Sequence, residues 1–498
     1  MHRFLKTTWP GATLLLMLCP VLLAGREPAL PQPPAIDLAW HYLLVDESYL
    51  LDDCPICDRV PIEEPMRGTF QLRLLESNPL FSDYALEEID FKAVLPRTYT
   101  VRGRGTFQIG GEVAVIQRMT LQVQIDDGIT TALYSLTNST VPISRPWPMI
   151  DIALVQTNGT DTQTYHLRLA TAPVREIWFS TINFFTAASG DLGSTFVMGG
   201  DLISTAGHVI KRNADLFTSV GAYPPGPDLG LDAVDILPGG EIAFSLKSGF
   251  PSMTLGPLQG GDLLSTRGRI IRRNQDLLAP FRLQPPTTDV GLDAAQVLDT
   301  GEILFSIETD VISKQLGVTL HRGDLLSSAG QILRGHQELL ARFQPSNAAK
   351  DYGLDAFYIW PSGEIWFSTE QGFQDQLLGA VLAGDLLSDQ GYRVFRNLEL
   401  LNAFAPTQAL PDYGLDALYI VTDAAPPAPA PRLSIAPKAE TRGVGLTWQG
   451  QGRVFQVERA GLATGPFEPF SPIIPDLAFD DMGSLTNGAQ GYYRLRQW

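Results

Sequence analysis

The sequence predicts an all-β protein in three parts. These are an N-terminal β-sandwich, a central β-propeller-like domain of four repeats of about 61 residues, and a small C-terminal β-sandwich. Two observations carry this expectation. Three separate sequence blocks recur in one register between residues 176 and 422, and the flanking segments read as short strands of alternating polarity broken by Gly, Asn and Pro. The 498 residues exceed what one core usually organises, so several domains are expected. At 44 % hydrophobic and 18 % charged, the chain beyond its N-terminus is ordinary globular material. A formal charge of -18 offers no basic surface to release counterions, which argues against nucleic acid or anionic membranes as partners through bulk charge.

The N-terminus carries Arg3 and Lys6, then an apolar stretch from Ala12 to Ala24 interrupted by Pro20, then the Pro-rich run from Gly25 to Ala35. This pattern predicts a secretory signal peptide over residues 1–25 and a Pro-rich linker over 26–35. The apolar run is shorter than the roughly 20 residues a spanning helix needs. Leu18, where a lipoprotein would need a small residue before Cys19, speaks against lipidation. No second long apolar run follows, so no transmembrane segment is expected after signal removal. A secreted location is expected, extracellular or at the cell surface, with the periplasm as an alternative. Loss of the signal leaves Cys54 and Cys57 in Asp53-Cys54-Pro55-Ile56-Cys57-Asp58. In an exported chain this spacing reads as a short structural disulfide. The acidic neighbours disfavour a redox dithiol, and a zinc site would need a second ligand pair where only His41 is near in sequence.

Residues 36–172 read as a separate β-sandwich domain. The clearest strand is Met119 to Asp126, whose strict apolar/polar alternation implies one buried and one solvated face. Thr69 to Glu76, Thr98 to Ile109 and Met149 to Gln156 look similar. Two Asn-x-Thr sequons, at Asn138 and Asn158, matter only in a glycosylating source.

The repeats occupy residues 173–422. Gly-Asp-Leu-(Leu/Ile)-Ser begins at Gly200, Gly261, Gly323 and Gly384; Gly-Leu-Asp-Ala begins at Gly230, Gly291, Gly353 and Gly414; Glu-Ile-x-Phe-Ser begins at Glu176, Glu241, Glu302 and Glu364. Each unit reads as two hairpins, hence four short strands, with the Glu-Ile-x-Phe-Ser strand apolar on both faces and the last strand wetter. Repetition of such a unit is the mark of a propeller blade. The strand after Gly414 is available to complete the first blade and close a four-bladed ring. Tyr165 to Pro173 also aligns with that slot; if it filled it, an open stack or a five-unit ring would follow.

Asp423 to Pro431 is an Ala/Pro linker whose prolines favour an extended, semi-rigid spacer. Residues 432–498 then supply Gly445-Leu446-Thr447-Trp448, Val454 to Arg459, Gly465 to Phe470 and Tyr492 to Arg496. These resemble the Trp-bearing second strand, the third strand and the late Tyr strand of a fibronectin type III-like module, over about 67 residues against the usual ~100. The whole pattern, Leu-Asp-Ala followed by Gly-Glu-Ile-x-Phe-Ser beside small β-modules, resembles secreted bacterial multidomain β-repeat proteins. That resemblance implies fold and export, and it adds nothing about chemistry.

For chemistry, Asp232, Asp293, Asp355 and Asp416 stand out. If their strand is innermost, four carboxylates gather around the central channel, an oxygen-rich setting that suits calcium. The competing reading is that each caps its own turn. Asp201, Asp262, Asp324 and Asp385 read as turn residues, and Glu176, Glu241, Glu302 and Glu364 as structural strand starts, because an active site is normally built once and breaks repeat symmetry. Such a break occurs at His336, which replaces the Asn of Asn213, Asn274 and Asn397; His208 and His321 are also single occurrences. No nucleophile elbow, zinc helix or phosphate loop is present, and no cofactor is required. Tyr352, Tyr358, Trp360, Trp366, Tyr413 and Tyr419 concentrate in the last two units, as a sugar-stacking platform or as packing between blades. The expected function is an exported, non-catalytic binding or scaffolding protein for an extracellular polysaccharide or a surface protein. The alternatives are a carbohydrate-active enzyme, whose paired acids need leave no local motif, and a purely structural envelope component.

Overall fold

The computed structural model describes residues 39–498 except 58, 95–96, 159–162, 190–194, 223–227, 288, 426–427, 439–441 and 483–490. The expected signal peptide, the Pro-rich linker after it, and parts of the second sequon and of the Ala/Pro segment lie outside the described residues. The fold is all-β, with 49 % strand and 5 % helix. Among the described residues, no helix is long and apolar enough to cross a membrane.

Among the described residues, positions 40–172 hold one ten-stranded antiparallel sheet. Trp40–Leu44 and Tyr49–Asp53 share one slot end to end, each pairing with Ile62–Ser77 on one side and Thr164–Ala172 on the other. Hairpins then run through Phe81–Val94, Thr98–Gly110, Ile116–Asp126 and Thr131–Thr137 to Ile150–Gln156. Ile150–Gln156 pairs in turn with Thr164–Ala172, so the hydrogen-bonded path returns to the slot it left. The expected β-sandwich would need two separately paired sheets here, and the pairing makes one. The alternation itself holds: Met119, Leu121, Val123 and Ile125 are buried while Arg118, Gln122 and Gln124 are exposed. Alternation decides which face of a strand is buried, and it carries no information about which strands pair.

Among the described residues, positions 174–422 hold four four-stranded antiparallel sheets, one per repeat unit. Their innermost strands, Leu418–Thr422, Val234–Leu237, Ala295–Val297 and Ala356–Ile359, neighbour one another in a cycle. The first sheet takes its inner strand from the end of the region, because Leu418–Thr422 pairs with Val174–Phe179. Thr164–Ala172, the other occupant considered for that slot, is committed to the N-terminal sheet. Each unit also contains more than the four strands expected. A small hairpin, such as Phe250–Ser252 with Gly256–Leu258, leaves between the second and third strands. A short helix follows the fourth strand, at Asn213–Ser219, Asn274–Leu278, His336–Leu339 and Asn397–Leu400.

Among the described residues, positions 432–497 hold two three-stranded sheets, with Trp448 and Phe455 in contact at 5.7 Å between ring centroids. This module is not held off by its linker. Val454, Ile473 and Trp498 are buried in one cluster with Trp178, Leu202, Ile236 and Val421 of the first and second units. Around that cluster Lys211 meets Asp476 at 2.6 Å and Arg453 meets Asp299 at 2.9 Å. An extended Pro-rich segment reads as a spacer from composition alone, whereas here apolar burial between the parts it joins decides their placement.

Candidate metal centre

The turn leading into each inner strand contains a glycine that the geometry requires. Gly230, Gly291, Gly353 and Gly414 have φ of 76 to 78°, and a Cβ there would collide with Lys247, Glu308, Glu370 and Ile182 respectively. Two residues further on, Asp232, Asp293, Asp355 and Asp416 are all buried, with exposures of 3, 7, 6 and 5 %. Turn-capping does not account for them. Both carboxylate oxygens of Asp232, and one each of Asp293 and Asp355, are buried without a hydrogen-bond partner. The capping role belongs instead to Asp228, Asp289, Asp351 and Asp412, two residues before each glycine. Asp289, for example, accepts the backbone N–H of Gly291 at 3.2 Å and that of Gly261 at 3.0 Å. This second aspartate recurs in every unit and was legible as part of the repeat.

The four inner aspartates are accompanied by side chains that break the repeat. Two residues after the Ser of Glu-Ile-x-Phe-Ser stand Ile182, Lys247, Glu308 and Glu370. That position differs in chemistry from unit to unit, and this break in the repeat, rather than the histidines, is the sequence signal for this site. Asp232, Asp293 and Glu308 each offer a carboxylate oxygen within 4.8 Å of the others. Burial, then the nearby carboxylates, push the Asp293 and Asp355 carboxyls well above the usual range. Asp232 is raised in the same way by burial and then Asp416, and Asp416 is pushed up to about 6 by burial against the pull of Lys247. Glu308 and Glu370 are also raised, chiefly by burial. Buried carboxylates without donors are costly unless they take up protons or a cation. An all-oxygen donor set of this kind suits a hard divalent ion of the calcium class.

The remaining candidates serve the framework. Asp201, Asp262 and Asp385 each accept the backbone N–H of the residue opening the following helix, at 2.8, 3.0 and 3.1 Å. Glu176 accepts from Ser204 at 2.6 Å and from the Trp178 indole at 2.9 Å, and Glu364 is bonded likewise to Ser388 and Trp366. Of the six aromatic residues, Tyr352, Trp360, Trp366, Tyr413 and Tyr419 are buried, and Tyr358 packs edge-on to Trp360 at 5.2 Å. These rings fill the space within and between units and present no open stacking face. Cys54 and Cys57 are joined by a disulfide with a Cα–Cα distance of 5.2 Å. Asn138 is buried and bonded to the backbone of Gln117 and Met119, which withholds it from glycan attachment.

Compared with known protein families and with curated proteins, the chain matches none.

Proposed function

We propose that the protein is an exported, non-catalytic binding or scaffolding protein whose four sheets form a four-bladed propeller with a calcium-class cation at its centre. The observation that carries the cation is Asp232, 3 % exposed, with both carboxylate oxygens unpartnered beside Asp293 and Glu308. A cation there ties carboxylates from adjacent inner strands together and so holds the ring closed. In this reading the C-terminal module is fibronectin type III-like and braces the ring. The Cys54–Cys57 disulfide and the signal-like N-terminus support export. An extracellular polysaccharide or a surface protein is the proposed ligand, taken on the outer surface, because the clustered aromatic residues of the last two units are interior.

One test combines thermal unfolding with ligand capture. Calcium is expected to raise the melting temperature relative to chelator in the wild type, and to lose most of that effect in Asp232→Asn. Equal melting temperatures in calcium and chelator would remove the cation. In parallel, a polysaccharide panel is scored for retention of protein and for new sugar ends. Retention without new ends supports the binding reading.

A carbohydrate-active enzyme is the second reading, and one observation favours it. Glu308 and Glu370 are acids that break the repeat symmetry beside Asp232 and Asp293, and their carboxyls are held toward the protonated form. New sugar ends that disappear in Glu308→Gln or Glu370→Gln would establish this reading in place of the first.

A further inference from the structure

In three of the four joints between units, one asparagine acts as a clasp. Asn213 donates to the carbonyls of Gly200 and Gly230 at 3.0 and 2.9 Å and accepts the N–H of Leu229 at 3.2 Å. Asn274 and Asn397 repeat this arrangement at their own joints. Each clasp binds one unit's third-strand turn to the start of the next unit's inner strand. The joint between the third and fourth units has His336 in that place. A second tie is absent from the same joint: Ser180, Ser245 and Ser368 donate to the carbonyls of Leu231, Leu292 and Leu415, while the Ser306 hydroxyl is buried without a partner.

The third unit departs from the repeat at two further positions. Asp310 stands where the second and fourth units have Gly249 and Gly372, and His321 stands where the others have Met198, Gln259 and Leu382. All three departures converge. The His321 and His336 rings are edge to face with centroids 5.0 Å apart, and His321 Nδ1 lies 3.0 Å from Asp310. Asp310, His321 and Asp351 each offer a ligand atom within 4.8 Å of the others. Asp351 belongs to the entry of the fourth unit and is fixed there by the N–H groups of Gly323 and Gly353 at 3.1 and 2.9 Å. Asp324 holds His336 in this position through Nδ1 at 3.3 Å.

We propose that Asp310, His321 and Asp351, with the His336 ring packed against that of His321, form a site for a zinc-class transition metal that clamps the third unit to the fourth. An imidazole with two carboxylates matches the borderline donor set of zinc and not the all-oxygen set of calcium. The metal bridges side chains of the third unit to Asp351 of the next, and so does the work that the asparagine clasp does at the other joints. Arg322 neighbours the site, with its guanidinium turned away to Glu370 at 2.7 Å and its backbone N–H donated to Asp310 at 3.0 Å, while Asp324 borders it through His336.

The repeat itself supplies the test variants. His321→Gln and Asp310→Gly install the residues that the second unit carries at these positions, so both are expected to fold, which circular dichroism checks. Zinc titrated calorimetrically into the full chain, with millimolar calcium present to saturate the central carboxylates, is expected to bind with a stoichiometry near one and to raise the melting temperature. Each variant is expected to weaken that binding by at least about tenfold and to lose the thermal shift. Asp232→Asn is expected to leave zinc binding unchanged. Absence of zinc binding, affinity unchanged in both variants, or loss in Asp232→Asn instead, overturns the proposal.

Discussion

The Asp423 carboxylate receives the Arg175 guanidinium at 2.8 Å, and this pair joins the three regions of the chain. The same carboxylate accepts the backbone N–H of His41 at 2.7 Å, the Arg496 guanidinium at 2.9 Å and the Trp498 indole N–H at 2.7 Å. Asp423 follows directly on the strand that completes the first sheet, so that strand also anchors the flanking sheets.

Asp423→Ala leaves two nearby arginines without their partner. Removing one member of a buried pair costs about 3–5 kcal/mol, so a loss of that order is expected in urea unfolding at pH 7. Arg175 and Arg496, after the opposing cost of burial, hold the Asp423 carboxyl below the usual range. Its contribution is therefore full above the ordinary carboxylate value and is lost as pH falls through the lowered one. An unchanged unfolding midpoint in the variant would show that the pair is not a joint.

Burial, then the adjacent Arg175, lower His41 from 6.5 to about 4. A neutral histidine favours folding above 6.5, and that contribution is lost as pH falls toward 4. The His41 ring is expected to titrate near 4 by NMR. A midpoint close to 6.5 would place it in solvent.

The inner carboxyls carry the opposite sign. Their raised values favour the protonated folded state, so their contribution is full below the ordinary carboxylate value and is lost as pH rises, through about 6 for Asp416. In chelator the melting temperature is expected to fall between pH 4 and 7, and calcium is expected to abolish the fall. Asp232→Asn is expected to flatten the profile in chelator. A flat wild-type profile in chelator would rule out a strained carboxylate cluster.

Asn274→Ala removes three buried hydrogen bonds and strands the groups that made them. The expected cost is on the order of 3 kcal/mol by denaturant unfolding. A cost within a few tenths would mean that the joints are held by apolar packing alone.

Trp366 is fully buried against Trp360 at 5.0 Å between centroids. Trp366→Ala is expected to cost about 3–5 kcal/mol of stability. Retention on a polysaccharide, measured on the folded fraction, is expected to be unchanged. Selective loss of retention at wild-type stability would return these rings to the ligand surface.

The all-β class, the period of the units and the alternation of Met119 to Asp126 were determined by the sequence alone, because strand polarity and turn glycines are local properties. The four inner aspartates were visible as a repeated set for the same reason. Which aspartate caps the turn and which is buried beside the other carboxylates was decided only by tertiary structure, since Asp228 and Asp232 differ in sequence by four positions and in environment by the path of the next sheet. Tertiary structure likewise brought Glu308 to Asp232, and His321 to His336, across segments whose separation in sequence carries no mark of contact. The single closed path of paired strands in the N-terminal region and the docking of the C-terminal module belong to the same category. Hydrogen-bond partners in a sheet, and apolar faces that meet across a linker, are chosen by the whole chain as it buries surface, and no local pattern encodes that choice.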